Sequence, residues 1–190
     1  MFLSQRPNQT RLTIQGEVCV ITLGDMSDHY AFVVGLRALR DYQPKPITEE
    51  DMTAILEAAR WTGSSKNLQN WSFVVVDEPG VKSRFADCGK FTVPIRNAPA
   101  AIAIIEEPGG YEFDSGRVAQ NIMLAAAAIG IASCPITIHS HQKAAEVLGL
   151  PEGRKCRYAV SLGYPAPNAG PKFKGGRKPL DELVHHNRYS

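Results

Sequence analysis

The sequence predicts an α+β fold with a mixed or antiparallel sheet. Helical and strand patterns alternate along it without the regular βαβ rhythm of a parallel sheet. Ala98 to Ile105 is a continuous apolar run bounded by Pro99 and Pro108, as suits a central strand covered on both faces. Ile122 to Ile131 is a second apolar run, preceded by Arg117, Gln120 and Asn121, and reads as a buried helix. With 190 residues and 44% hydrophobic content, the chain can bury one full core.

Residues 1–25 stand apart from the rest of the chain. They read as a peripheral arm, as a disordered segment, or as sequence upstream of a start at Met26. Leu12 to Leu23 alternates weakly and also fits an edge strand. Residues 26–190 read as a single domain. Ser27 or Asp28 can cap a helix reaching about Leu39, on which Arg37 and Arg40 would share a face. Pro44 and Pro46 then force extended backbone. Thr48 is the expected cap of the next helix, with Asp51 three residues on in a variant capping box. Met52, Ile55, Leu56 and Ala59 form its apolar stripe. Ser72 to Val76 is a strand and Pro79 to Cys88 a short helix. Asp114 or Ser115 caps a long helix through Ile129, stopped by Gly130. Ser140 caps another from His141 to Leu148, and Cys156 to Leu162 is the last strand.

A net charge of +2 with scattered cations gives no basic stripe for nucleic acid. No apolar run reaches the roughly 18 residues a bilayer requires, and no secretory leader is legible. Cys19, Cys88, Cys134 and Cys156 are far apart and form no C-x-x-C pair. They read as thiols of a reducing cytoplasm. The pairs His139/His141 and His185/His186 lack the i,i+4 spacing of a helical metal site, so no metal is expected. No G-x-S-x-G elbow, G-x-G-x-x-G fingerprint or phosphate-binding P-loop occurs.

Four segments carry chemistry. Gly63 to Trp71 crowds hydroxyls, amides and a cation into a helix-to-strand junction, as suits a flat heterocycle with mixed edges. A capped turn is the plainer reading. Arg37-Ala38-Leu39-Arg40 can grip a phosphate, or can simply end a helix. Gly130 to Ile138 leaves the long helix, and the amides after Pro135 can face a ligand. Lys172 to Lys178 sets four cations around Gly175 and Gly176, either an anion cradle or a solvated tail. Asp114 reads as a cap, and Gln120 and Asn121 as buried hydrogen-bonders.

In order and spacing, these pieces resemble the FMN-dependent nitroreductase-like family. The likeness runs from about Tyr30 to Tyr189 through "GLRALRDYQPKPI", "ILEAARWTGSSKNLQNW", "FDSGRVAQNIMLAAAAIGIASCPI", "LGLPEG", "VSLGYP" and "RKPLDELVHHNRY". The resemblance implies a mixed sheet wrapped by helices in an intertwined homodimer, with FMN at the subunit interface. It implies that Arg37, Ala38, Leu39 and Arg40 form the N-terminal flavin-binding motif. Ser64, Ser65, Asn67 and Gln69 would form a polar loop partly delivered by the partner subunit. Pro135, Ile136, Thr137 and Ile138 would lie along the flavin and offer an amide near N5. Arg177, with Lys178, would meet the phosphate.

Ala38 stands where a Ser is common, Asn70 where Pro usually precedes the Trp, and Thr137 where some members carry Glu. Around Phe91 to Arg96 no clean counterpart is found for an Asn and Lys that some members place near flavin and nicotinamide. The implied activity is ping-pong hydride transfer from NADH or NADPH through flavin N5 to a nitroaromatic or quinone. No side chain is expected to be catalytic, because the cofactor carries the chemistry. A non-enzymatic FMN-binding protein, or a dehalogenating or flavin-consuming member, is the alternative.

Overall fold

The structure is a computed structural model that describes residues 9–14, 17–22, 26–171 and 176–189. Leu23, and Lys172 and Lys174 of the basic loop, lie outside the described residues. The chain divides into two compact units after Arg37. The first unit holds strands β1 (Gln9–Ile14) and β2 (Glu17–Thr22), paired antiparallel, and helix α1 (Met26–Gly35). The single edge strand expected over Leu12 to Leu23 is thus a two-stranded ribbon, since alternation alone does not show where a strand folds back. Helix α1 ends at Gly35 and not at Leu39, because Gly is a poor helix former. The Arg37 guanidinium donates to the carbonyls of Val34 (2.7 Å) and Leu36 (2.8 Å), satisfying acceptors left open at the helix end. Arg37 and Arg40 therefore share no helical face.

The second unit is built on four strands: β3 (Trp71–Val76), β4 (Ala100–Glu106), β5 (Ala132–Thr137) and β6 (Lys155–Gly163). Their order is β3–β4–β6–β5 and every pairing is antiparallel. Around them lie α2 (Glu49–Arg60), α3 (Pro79–Ala86), α4 (Val93–Asn97), α5 (Glu112–Ala128) and α6 (His141–Leu148). Ala101, Ala103 and Ile105 of β4 pack into a core with Phe85 and Ile95. Ile102 and Ile104 fall on the opposite face by the two-residue period and are equally buried. Helix α5 packs on α2 and on β4, β5 and β6. Its buried stripe is Val118, Ile122 and Ala126. The central apolar strand is thus covered on both faces.

Local chemistry sets the helix ends. Thr48 Oγ1 accepts the Asp51 N–H (3.1 Å) at the start of α2, as the sequence suggests. The Asp51 carboxylate accepts the Tyr164 hydroxyl (2.7 Å). Helix α5 starts earlier than expected, at Glu112 after Tyr111, so Asp114 sits inside the first turn as a buried residue 3.7 Å from Arg117. Gln120 is exposed, while Asn121 is half-buried and donates to Thr62 Oγ1 (2.8 Å). Strand β5 replaces the simple helix exit expected after Gly130. Pro135 argues against a strand in sequence, yet among the described residues β5 is an edge strand paired only with β6, where a missing N–H is tolerated.

The segment 38–43 is laid across the sheet end. Leu39 N–H donates to Ser133 carbonyl (2.9 Å), Gln43 N–H to Tyr164 carbonyl (2.8 Å), and Ala166 N–H to Asp41 carbonyl (3.1 Å). The half-buried Tyr42 hydroxyl lies 2.9 Å from the Leu39 carbonyl and 2.7 Å from Ser161 Oγ. It can donate to the first while accepting from the second. Burial raises the Tyr42 pKa, against an opposing push from the Ser161 bond. This seat requires Gly163: a Cβ there would lie 2.6 Å from Pro99 Cδ and 2.9 Å from Tyr42 Cδ1.

Gly163→Ala is therefore expected to destabilise the protein by about 1–3 kcal/mol through overpacking. A urea-denaturation midpoint unchanged from the parent chain would show that Tyr42 is not held by this contact.

Candidate functional site

Strand β5 alternates as an edge strand must. Cys134, Ile136 and Ile138 are buried, while Pro135 and Thr137 are exposed. Outside them lies a cavity of about 490 Å³, within the roughly 300–1,000 Å³ range of small-molecule and cofactor pockets. Cys134, Pro135, Ile136 and Thr137 line it along β5. Arg40 and Asp41, carried by the docked segment, form a second wall. Lys90, Phe91, Val93, Pro94 and Asn97 form a third, and His139 closes the end beyond β5.

The third wall is tied to β5 by main-chain bonds. The Cys88 carbonyl accepts both the His139 N–H (3.0 Å) and the Ser140 N–H (2.9 Å). The buried Thr92 Oγ1 lies within hydrogen-bond reach of the carbonyls of Gly89 (3.0 Å) and Ala86, and its one proton can serve either. A Cβ on Gly89 would lie 2.5 Å from Thr92 Cγ2 and 3.1 Å from the Thr137 carbonyl. Only Gly lets this turn approach β5 so closely.

Backbone pairing decides which amides face the cavity edge. Ile138 N–H is committed to the Arg157 carbonyl at 2.8 Å. Hydrogen-bonded pairs alternate along an antiparallel ladder, so Ile136 also faces β6 while Pro135 and Thr137 face outward. Pro135 has no N–H. Thr137 is thus the outward main-chain donor of the stretch 135–138. Arg40 is half-buried, and among the described residues its guanidinium makes one bond, to the Ala38 carbonyl at 3.4 Å. Its remaining donors are open to a ligand.

The structure brings Arg40, Pro135, Ile136 and Thr137 together. Ala38 packs against the core, Leu39 docks on Ser133, and Ile138 is fully buried behind β5. Arg37 belongs to the first unit, and Arg177 and Lys178 are exposed outside the cavity lining. Ser64, Ser65, Asn67 and Gln69 also lie outside it. Their loop is built to stand out. Ser64 Oγ accepts the Gln69 N–H (2.9 Å), and the Asn70 side chain donates to the Gly109 carbonyl (3.0 Å). Arg117 clamps the Gly63 carbonyl at 2.5 Å from α5. Lys66, Asn67 and Gln69 hold φ of 51°, 55° and 51°, a left-handed conformation that disfavours side chains. Strain on three exposed polar residues fits a segment that presents groups to a ligand or partner. Sequence reading missed Asp41, Lys90, Phe91, Val93, Pro94, Asn97, Cys134 and His139. Their one visible signal is the Gly89-Lys90-Phe91 step, a cation and an aromatic beside a glycine.

Among the described residues, no group of three or more His, Cys, Asp or Glu side chains could hold a metal ion. No described helix is long and apolar enough to cross a membrane. Cys88 and Cys156 are buried free thiols, and Cys134 is buried as well.

The chain and its fold resemble known proteins. The nitroreductase family model matches residues 34–107 and 94–164. An Archaeoglobus fulgidus protein, named as an NADH dehydrogenase/NAD(P)H nitroreductase, is 32% identical over 140 residues, or 68% of this chain and 80% of that protein. The solved structure of an FMN-dependent nitroreductase from Clostridium difficile R20291 superimposes with a TM-score of 0.73 at 26% identity, covering 84% of this chain and 99% of that one. The NADPH:FMN oxidoreductase of Vibrio harveyi, solved with NAD+, gives a TM-score of 0.76 at 25% identity, covering 85% and 77%.

Burial pushes the Cys156 thiol up to about 12 and raises Cys88 as well. The neutral thiol is the form the fold favours. Its contribution to stability is full below the ordinary thiol value of about 8.5 and fades as pH rises from there toward 12. Cys156 should not react with a thiol reagent at pH 8 until the protein unfolds. Labelling of native protein at the rate of a free thiol would refute this.

Proposed function

The chain belongs to the nitroreductase family, and from that premise we propose that it is an FMN-dependent oxidoreductase carrying reducing equivalents from NADH or NADPH to a nitroaromatic or quinone. The cavity between β5, the docked segment and the 90–97 turn carries this reading. Its features fit FMN. Pro135 and Thr137 present a narrow outward face on a rigid strand, Thr137 supplies the outward amide, and Arg40 has donors to spare. Bound FMN would supply the redox chemistry between nicotinamide and acceptor.

The protein's own part is electrostatic and steric. Arg40 holds a fixed positive charge at the wall, which favours the negative charge that two-electron reduction brings. The strand wall orients a flat ring, and the exposed mouth admits two substrates in turn. Ser64, Ser65, Asn67 and Gln69 point to assembly. Among the described residues, their exposed, strained loop lies outside the lining of this cavity, so we assign it to the cavity of a second copy. Leu180, Leu183, Val184 and Tyr189 are exposed near the C-terminal end, which also supports a homodimer with an exchanged arm. Arg37 and Arg177 are assigned to the flavin phosphate, with Lys178 beside them. The buried thiols suit a reducing cytoplasm.

The purified protein should be yellow, and its flavin band should bleach under anaerobic NADH or NADPH and return on adding a quinone. A colourless chain that takes up no FMN would end the proposal, and a yellow one that never bleaches would make it a flavin-binding protein without this activity. Replacing both Arg37 and Arg177 with Ala should weaken FMN affinity at least about tenfold, as loss of charge-assisted phosphate bonds requires. Both side chains are exposed and Arg37 bonds only carbonyls at the end of α1, so the loss of stability should stay within about 1 kcal/mol. Unchanged FMN affinity would remove the phosphate assignment.

A further inference from the structure

One end of the cavity carries chemistry to which the flavin reading assigns no role. Lys90, Phe91 and His139 meet there. Phe91 is 79% exposed, and its ring meets the His139 imidazole edge-on at 6.4 Å between centroids, with 60° between planes. His139 Nδ1 accepts the Lys90 main-chain N–H at 3.4 Å, so Nε2 carries the proton of the neutral ring. The two bonds to the Cys88 carbonyl and the close seat of Gly89 hold this end rigid. It offers an ammonium, an imidazole N–H and an open aromatic ring. Of the remaining lining, Arg40 is a further cation and Asp41 the one carboxylate.

We propose that Lys90, Phe91 and His139 form a subsite for an anionic group borne on a flat aromatic ring, so that aromatic acids are the acceptors this site selects. The proposal rests on the oxidoreductase reading. A carboxylate lets the ammonium and the Nε2–H donate to one group while Phe91 meets the ring edge. A neutral ring of the same shape leaves those donors to water. Phosphates of a nicotinamide dinucleotide or of FMN share this chemistry, and the test must separate them from the acceptor.

Full-length protein loaded with FMN would be assayed with 4-nitrobenzoate and with its neutral methyl ester, and also titrated calorimetrically with benzoate and benzamide. The acid should be preferred by about tenfold in kcat/KM, as one charge-assisted bond would give. Lys90→Met, which leaves the main-chain bond to His139 in place, should abolish that preference and weaken benzoate binding by a similar factor. Ester turnover and benzamide binding should change less than these. Equal use of acid and ester by the parent protein would overturn the subsite. So would a Lys90→Met variant that slows flavin reduction by NADH or NADPH, or that loses FMN, while keeping its preference for the acid. Protein that takes up no FMN would instead overturn the oxidoreductase reading. Benzoate titration of that same protein would still decide the subsite.

Discussion

The site depends on how tightly residues 38–43 are held against the end of the sheet. Three main-chain bonds fix the segment, and the Tyr42 hydroxyl adds two more contacts between Leu39 and Ser161. Without that seat Arg40 would sit on a loop, and the cavity would lack its cationic wall. The seat rests on a missing side chain. Gly163 gives Tyr42 room that any Cβ would fill. A buried hydroxyl satisfied at both ends costs little desolvation, whereas the same group half-satisfied would be strongly destabilising.

The second wall is held in a similar way. Gly89 lets the turn before α4 press against β5, and the Cys88 carbonyl takes two N–H donors from the start of the next loop. Two glycines far apart in sequence therefore set the two sides of one cavity. Edge position matters as much. Because β5 pairs on one side only, its alternate residues turn backbone groups outward, and a proline can sit among them without breaking the ladder.

The polar loop at 64–70 shows a different logic. Three non-glycine residues with positive φ are held by the Ser64 hydroxyl on Gln69 N–H, an Arg117 clamp and an Asn70 bond. Such strain persists only where the surroundings over-determine it. None of it serves the cavity of its own chain. This separation fits the proposed site shared between two copies, in which the loop would meet the ligand of the second copy.

The α+β class, the two-sided burial of the central strand, the Thr48 cap and the polar loop were all legible in the amino-acid sequence, because each follows from local propensity or short-range periodicity. Order and spacing of weak motifs likewise carried the family resemblance. Sequence could not show where helix α1 stops, that β5 is a strand despite Pro135, or that Lys90, Phe91 and His139 face one cavity. Those depend on strand order and on contacts between residues tens of positions apart. Gly89 and Gly163 look like any other glycines until the chain folds. Their roles come from the tertiary fold, because the space they leave empty is defined by side chains from elsewhere in the chain.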